Sequence, residues 1–411
     1  MLIKLSRWLL IVIVVIVASI YLPQLYWLIF SERTSAPMVN YSPVIEKFII
    51  GKSDGKSFNW YDSDNKQYTR EETDPLLPFM NYRLLAAKSI MPDSVAGIKV
   101  ELDDVRKNNF MQRFRPYQFS APQIQVYPMF ESKPPRLKLE MPDIFFRMTN
   151  RMDVLNCTTN EVDEEISDSF NQALSEKGFT FPCKRIFGNP TTRKPFDEGY
   201  FLIDNNDDFF QIKMIKGKPS CENTNFPDDL KIKQFFLQEQ SLKEFYGYLV
   251  SEDNRFYFLT YDNYRPQQLP IDGYDPETDQ IVVVGNLFYR VVSVVSEDHI
   301  KTYVMNREYV LIDTYEESWP GKSESSAALA GAYIFPFTLD LDTFSSMYLD
   351  FNIESISIKS IGLNIVLILM TIFLYRRRKI NMGSSLGDIL VVLITGIYGF
   401  LAILILEKSD R

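Results

Sequence analysis

One histidine in 411 residues removes most catalytic designs at the outset. Serine and cysteine nucleophiles usually need an imidazole base, and His299 stands alone in the turn-like stretch "SEDHIK". A zinc site built on several histidines is out of reach of this single chain. The H-E-x-x-H, G-x-S-x-G and P-loop patterns are absent. No cofactor or metal is therefore expected, and no residue is nominated as catalytic. Cysteine is scarce as well: Cys157, Cys183 and Cys221. An odd number leaves at least one thiol over. Cys183 with Cys221 is the disulfide the order favours, because the two flank one hairpin-like unit; the alternative is that all three are buried and reduced.

Basic charge is in short supply too. The chain carries −9 overall, yet residues 1–30 carry +2 and residues 357–411 carry +4, which leaves −15 for the long middle segment. So acidic a segment is a poor partner for nucleic acid, which rewards clustered Lys and Arg, and for anionic lipid surfaces.

What is plentiful is apolar sequence, in three runs. Trp8–Phe30, Ser360–Tyr375 and Ile389–Leu406 each approach the ~20 residues that a bilayer-spanning helix needs. Lys359 can snorkel and lengthen the second run. The first run is long for a signal peptide, lacks a clear A-x-A site, and ends in the interfacial aromatics Tyr21, Tyr26, Trp27 and Phe30. It reads as an uncleaved anchor, 1–30. Arg376, Arg377, Arg378 and Lys379 follow the second run, and Lys4 and Arg7 precede the first. Both basic signals mark cytoplasmic sides. The expected layout is a multi-pass inner-membrane protein: an extracytoplasmic (periplasmic) domain over 31–357, helices at 358–375 and 389–406, a basic loop at 376–388 and an outer tail at 407–411. No ionisable side chain lies in the cores of these runs, which argues against an ion path. Asn364, Thr395, Gly396 and Gly399 suit close helix contact.

The middle segment repeats itself. "YFLIDNNDDFFQIKM" from Tyr200, "GYLVSEDNRFYFLTY" from Gly247 and "VSVVSEDHIKTYVMN" from Val292 each read strand, acidic turn, strand. Val250-Ser251-Glu252-Asp253 recurs as Val295-Ser296-Glu297-Asp298, and spacings of about 40–50 residues are those of propeller blades. The fold class is mainly β: a propeller-like antiparallel domain of six or seven blades with a few helices, plus three transmembrane helices. A helix is predicted over 75–88. Another is predicted over 164–177, with Ile166, Phe170 and Leu174 on one face, Asp163 as cap and Gly178 as stop. Residues 318–333 read as a loop. The acidic clusters Asp204–Asp208 and Asp62–Asn65 lack the calcium-loop pattern and read as Asx turns.

The densest polar run, "TTRKPFDEGY", offers Arg193, Lys194, Asp197 and Glu198 as binding candidates. Two carboxylates at a suitable separation hydrolyse glycosides, but neighbours at a strand entry point to opposite faces. Solvated ion pairs at a rim are the competing account.

The stretches "LLPFMNYRLL", "PPRLKLEMPDIFFRMTNRMDVLN" and "EKGFTFPCKRIFGNPTTRKPFDEGYFLID" resemble a bacterial membrane-anchored family of unknown function. The resemblance runs from the first helix to about residue 350. It implies genes beside ABC-transporter subunits and supplies no catalytic residues. Lipid bilayer and an ABC-transporter permease or ATPase are the expected partners. The expected role is a non-enzymatic accessory or sensor subunit that binds through its β domain. An envelope carboxylate hydrolase and a ligand-binding propeller module are the alternatives.

Overall fold

"YFLI" and "FYGYLVS" are apolar at nearly every position, as strands covered on both faces must be. The structure, a computed structural model, describes residues 2–30, 36–53, 55, 57–122, 124–136, 138–321, 325–342, 350–380 and 385–406. The tail expected at 407–411, and residues 381–384 of the expected loop, lie outside these. Five antiparallel sheets dominate. Sheet 1 holds β1 (Met38–Ser42), β2 (Lys47–Ser53), β3 (Phe58–Asp62) and β4 (Gln67–Tyr68). A helical excursion follows: α2 (Arg70–Leu76), α3 (Tyr82–Ala87), a small β5–β6 hairpin (Ser94–Val95, Ile98–Lys99), and α4 (Leu102–Asn108). β7 (Phe110–Phe114) ends it. Sheet 2 holds β8 (Tyr127–Pro128), β9 (Ile144–Met148), β10 (Met152–Asn156) and β11 (Glu161–Val162), followed by α5 (Glu164–Glu176). Sheet 3 holds β12 (Arg185–Gly188), β13 (Tyr200–Ile203), β14 (Phe209–Ile215) and β15 (Lys218–Asn223). Sheet 4 holds β16 (Ile232–Leu237), β17 (Phe245–Ser251), β18 (Phe256–Thr260) and β19 (Pro266–Gln268). Sheet 5 holds β20 (Gln280–Gly285), β21 (Arg290–Val295), β22 (His299–Met305) and β23 (Leu311–Ser318), with β7 added beside β20.

The three sequence repeats are the central hairpins of sheets 3, 4 and 5. Their side chains alternate between two cores. Phe256 and Phe258 enter the core shared with sheet 5, while Tyr257 and Leu259 enter the one shared with sheet 3. On β13, Tyr200 and Leu202 face sheet 2, and Phe201 and Ile203 face sheet 4. Val291, Ile300 and Val304 of sheet 5 meet Val39, Tyr41, Phe48 and Ile50 of sheet 1. The sheets therefore stack in the row 2-3-4-5-1. Each fully buried aromatic or aliphatic side chain contributes roughly 1.5–3 kcal/mol.

Blade-like sheets do not here make a propeller. Among the described residues no core cluster joins sheets 1 and 2, so the row stays open. The helical excursion separates those two sheets in the chain, and its last strand, β7, occupies the free edge of sheet 5. Five sheets stand where six or seven blades were expected.

Local expectations fare variously. Asp163 caps α5 by accepting from the Ile166 N–H at 3.1 Å, and Gly178 follows with φ +87°. The helix predicted over 75–88 divides into α2 and α3; Thr69 and Glu72 form a capping box at the start of α2. Asp204 accepts from the N–H groups of Asn206 and Asp208, which is turn chemistry. His299 opens β22, its ring 2.7 Å from Asp298. The loop expected over 318–333 contains α6 (Ser326–Ile334), which Ser325 caps on Ala328 N–H at 3.1 Å. A hairpin of β24 (Phe337–Asp342) and β25 (Asp350–Ile356) follows.

The apolar runs form α1 (Leu2–Phe30), α7 (Ile361–Arg377), α8 (Leu386–Thr395) and α9 (Ile397–Ile405). α1 and the segment Ile358–Arg377 are long and apolar enough to cross a membrane. The third run is not one helix. The Arg7 guanidinium donates to both Asp388 oxygens, at 2.9 and 3.1 Å, and to the Leu406 carbonyl at 3.1 Å. In an unbroken helix those acceptors would lie about 27 Å apart, at 1.5 Å per residue. The segment folds back at Gly396, where φ is +55° and ψ −125°. α8 and α9 form a hairpin whose two ends meet at Arg7. Tyr375 donates to Asp388 at 2.7 Å, and Asn364 donates to the Leu393 carbonyl at 3.1 Å beside the bend.

Gly396 is required twice, by its dihedral angles and by the Asn364 amide oxygen packed where a Cβ would stand. Gly396→Ala is expected to destabilise the full chain in detergent by at least about 1–3 kcal/mol. Gly362→Ala, with open space around it, should leave the melting midpoint unchanged. Equal midpoints for both variants would contradict the bend.

Candidate functional site

The run containing Arg193 to Glu198 is the loop from β12 to β13. It lies at the end of the strands where β16–β17 and β20–β21 are also joined. Arg193 is exposed, and its backbone N–H caps Thr191. Lys194 is not: its side chain is 2% exposed, and those of Asp197 and Glu239 are 0%. Lys194 Nζ lies 2.6 Å from Asp197, 2.7 Å from Glu239 and 2.9 Å from the Asn189 carbonyl. Its ammonium also sits over the Phe130 ring. Ser132 and the Gly199 N–H complete Asp197, and Asn189 completes Glu239.

Glu198 turns the other way. It pairs with Lys213, accepts from Tyr261 at 3.1 Å, and faces Lys243 at 3.7 Å. Tyr261 stacks on Tyr246, which stacks on Tyr264. Burial, then the nearby Glu198 charge, pushes the Tyr261 hydroxyl far up, so it stays a donor. Two of the four nominated residues, Lys194 and Asp197, are thus brought together, as a clasp between sheets 3 and 4, and Glu198 serves a separate set of partners. Sequence spacing had no means of naming Glu239, its essential acceptor.

A second clasp joins sheets 4 and 5 at the same end. Arg290 is fully buried. It pairs with Glu244 and donates to the carbonyls of Asn286 and Tyr289, at 2.6 and 2.9 Å. Tyr309 donates to Glu244 at 2.6 Å. Burial pushes the Glu244 carboxyl up, but Arg290, Tyr309 and Arg307 hold it below the usual carboxylate range.

The cysteines are free thiols. Cys183 precedes β12 and Cys221 lies on β15, the two outer strands of sheet 3. Three strand spacings, about 14 Å, exceed the ~7 Å that a disulfide can bridge between Cα atoms. The two flank a hairpin because they stand on opposite edges of its sheet. Burial raises both thiols to about 12, so neither is a nucleophile at neutral pH. Arg376 to Lys379 are exposed at the C-terminal end of α7, where cations complement the helix dipole.

The open space lies elsewhere. A cleft of about 500 Å³ runs between sheets 1 and 5, within the size range of small-molecule sites. Its origin is a mismatch of widths. Four-stranded sheet 1 covers β21 to β23 of sheet 5, and β20 and β7 extend beyond it. On these strands alternate residues Val282, Val284, Met111 and Arg113 line the cleft. Their neighbours Ile281, Val283 and Phe114 face sheet 4. Leu77, Phe79 and Met80 close the far wall. Met38, Met80 and Met111 are 42%, 41% and 54% exposed there, and flexible thioethers suit adaptable contact.

The cleft's polar groups are mostly engaged. Asn109 donates to the Phe79 carbonyl at 2.5 Å, Asn286 accepts from the Phe288 and Tyr289 N–H groups, and Ser293 meets Thr302 at 2.9 Å. Two are not. The Asn40 Nδ2 is buried without a partner, and Arg113 has no ion pair among the described residues. The sequence signal was the strand "FMQRF", which sets Met and Arg on one face and Phe on the other.

A family model matches residues 38–305, well over half of the chain. The chain belongs to the DUF4857 family, a domain of unknown function. The DUF4857 match opens on the first residue of β1 and closes on the last of β22. It holds the first clasp, the Arg290–Glu244 pair of the second and all of the cleft except Ala36 and Pro37, and leaves out Arg307, Tyr309 and the apolar helices. No curated protein matches the chain.

Stranding a buried charge costs about 3–5 kcal/mol. Lys194→Met should therefore lower the unfolding free energy by about that amount, and Arg193→Ala should change it by under about 0.5 kcal/mol. Comparable losses would refute the clasp. Because the Glu244 carboxyl is held low, its stabilisation is complete above the ordinary carboxylate value and disappears as pH falls through the depressed one. Thermal midpoints followed from pH 7 to pH 2 should show the gap between wild type and Glu244→Gln closing at the acid end.

Proposed function

We propose that this chain is a membrane-anchored, non-enzymatic binding protein whose cleft between sheets 1 and 5 takes a largely apolar ligand. The cleft carries the reading: preformed, lined with exposed methionine and with half-buried or buried valine, and placed six residues from the end of α1. The nominated carboxylates support it from the other side, since Asp197 and Glu198 are both spent on ion pairs.

In this reading α1 and α7 cross the inner membrane of a bacterium, and the α8–α9 hairpin enters it without crossing. α8 and α9 are each about 15 Å long at 1.5 Å per residue, half of a ~30 Å hydrocarbon core. The end of α9 then lies on the side of Arg7 and the Arg376–Lys379 cluster, which is cytoplasmic by charge. The β domain is periplasmic and acts as accessory or sensor to a larger complex, with an ABC-transporter permease or ATPase as the partner class.

The test is photolabelling of the full chain in amphipol with a neutral, diazirine-bearing long-chain alcohol. Crosslinks are expected on peptides containing Met38, Met111 or Val282. They should disappear in Val282→Trp, which fills the cleft, provided its melting midpoint is unchanged. Labels confined to α1, α7, α8 and α9 would overturn the reading.

A further inference from the structure

We infer that the ligand is an anionic amphiphile drawn from the membrane: an acyl chain whose carboxylate or phosphate head is held by Arg113. The inference rests on the cleft being the binding site and adds the chemical class of its occupant.

The charge distribution is the first ground. The segment between the membrane helices carries −15, yet no Asp or Glu lines the cleft and Arg113 is its sole ionisable cation among the described residues. Most other arginines of the β domain are consumed by carboxylates or carbonyls: Arg147 and Arg151 by Asp153, Arg185 by Lys233 and Gln234, Arg290 by Glu244. Arg70, Arg193 and Arg265 also lack an ion pair among the described residues, but of these four exposed or partly exposed guanidinium groups Arg113 alone lines the cleft, where its fork can bind an anion from outside with two parallel hydrogen bonds.

The wall beyond Arg113 is the second ground. Met111 is on the same face of β7, and Val282 pairs with Arg113 across to β20. Val284 continues that face, and Met38 and Met80 stand on the opposite wall. A charged end next to an apolar trough is the complement of a head group on a chain. Tyr41 also lines the cleft; burial, helped by Tyr289 and by the Asp313 and Glu46 charges, raises its hydroxyl to about 12. It therefore adds no negative charge at neutral pH.

Proximity is the third ground. Ala36 and Pro37 line the cleft, and α1 ends at Phe30. Six residues reach about 20 Å at most, so the cleft stands within a lipid's length of the surface that α1 leaves.

Three probes decide the matter on the full chain in amphipol: a diazirine fatty acid, the matching fatty alcohol, and inorganic phosphate as competitor. The acid is expected to label the cleft at about tenfold lower concentration than the alcohol, one charge-assisted contact being worth on the order of a factor of ten. Arg113→Gln should remove that advantage and leave alcohol labelling intact, and Arg113→Lys should restore part of it. Millimolar phosphate should compete with neither. Equal labelling by acid and alcohol in the wild type overturns the anionic class while leaving the cleft reading standing. Absence of both from the cleft overturns the cleft reading itself. Competition by phosphate alone overturns the lipid source. Should Arg113→Gln lose both labels, the wild-type ratio of acid to alcohol still decides.

Discussion

An antiparallel sheet with two apolar faces must be covered twice, and that obligation organises the β domain. Sheets 3, 4 and 5 place aromatic and β-branched residues on both sides, so each needs two neighbours. Sheets 1 and 2 stand at the ends of the row. On sheet 2, α5 adds Phe170 and Leu174 to the same core that faces sheet 3, and the other face carries the Arg147–Asp153 pair. Sheet 1 is backed in part by Leu77 of the helical excursion. A closed ring would have solved the same problem by setting sheet 1 against sheet 2. The excursion supplies the covering instead and spends its last strand on sheet 5. That strand widens one partner of an interface whose other partner stays four strands wide, and the uncovered width is the cleft.

Stacked apolar faces leave sliding along the seam weakly opposed, since hydrophobic contact is non-directional. The two charge clasps are directional, and they fall at the same end of successive seams. Lys194 with Asp197 and Glu239 fixes sheet 3 on sheet 4; Arg290 with Glu244 fixes sheet 4 on sheet 5. Buried ion pairs of this kind add little net stability against apolar replacements. Their geometry is better suited to setting the position of one sheet on the next. The same loops leave the other faces free for hydrophobic packing, which explains why so polar a run precedes so apolar a strand as Tyr200–Ile203.

Legibility in the sequence follows from this arrangement. The hairpins of sheets 3, 4 and 5 were readable because burial on both faces writes unbroken apolar strands between acidic turns. Sheets 1 and 2 have one face exposed or covered by helix, which dilutes the same pattern; the four residues of β8 and β11 hardly register at all. Helix α5 announced itself through Ile166, Phe170, Leu174 and the Asp163 cap. Ring closure was not readable, because repeat spacing reports how each sheet is made and says nothing about whether the ends of the row meet. The Lys194 run was found, as a binding surface or a solvated rim and not as a buried clasp, since its decisive acceptor lies 45 residues on. Arg113 escaped notice because what sets it apart is its place in a cleft lined by no carboxylate, and that is a property of three dimensions.

The helical segment shows the same limit from the other direction. Hydropathy reads Ile389–Leu406 as one rod, because it counts apolar residues and is blind to a single backbone angle. Gly396 reverses the chain, and Arg7 shows that it has done so by touching both ends. An ionised side chain in such surroundings is costly unless paired. Arg7, Asp388 and Tyr375 meet that condition jointly, so α1 is bound to α7 and to both arms of the hairpin through one guanidinium. Tyr26, at the far end of α1, donates to the Ala327 carbonyl of α6 at 2.8 Å. α1 is thereby held at both ends by segments from the other end of the chain, and Ala36 and Pro37, six and seven residues beyond its last residue, line the cleft.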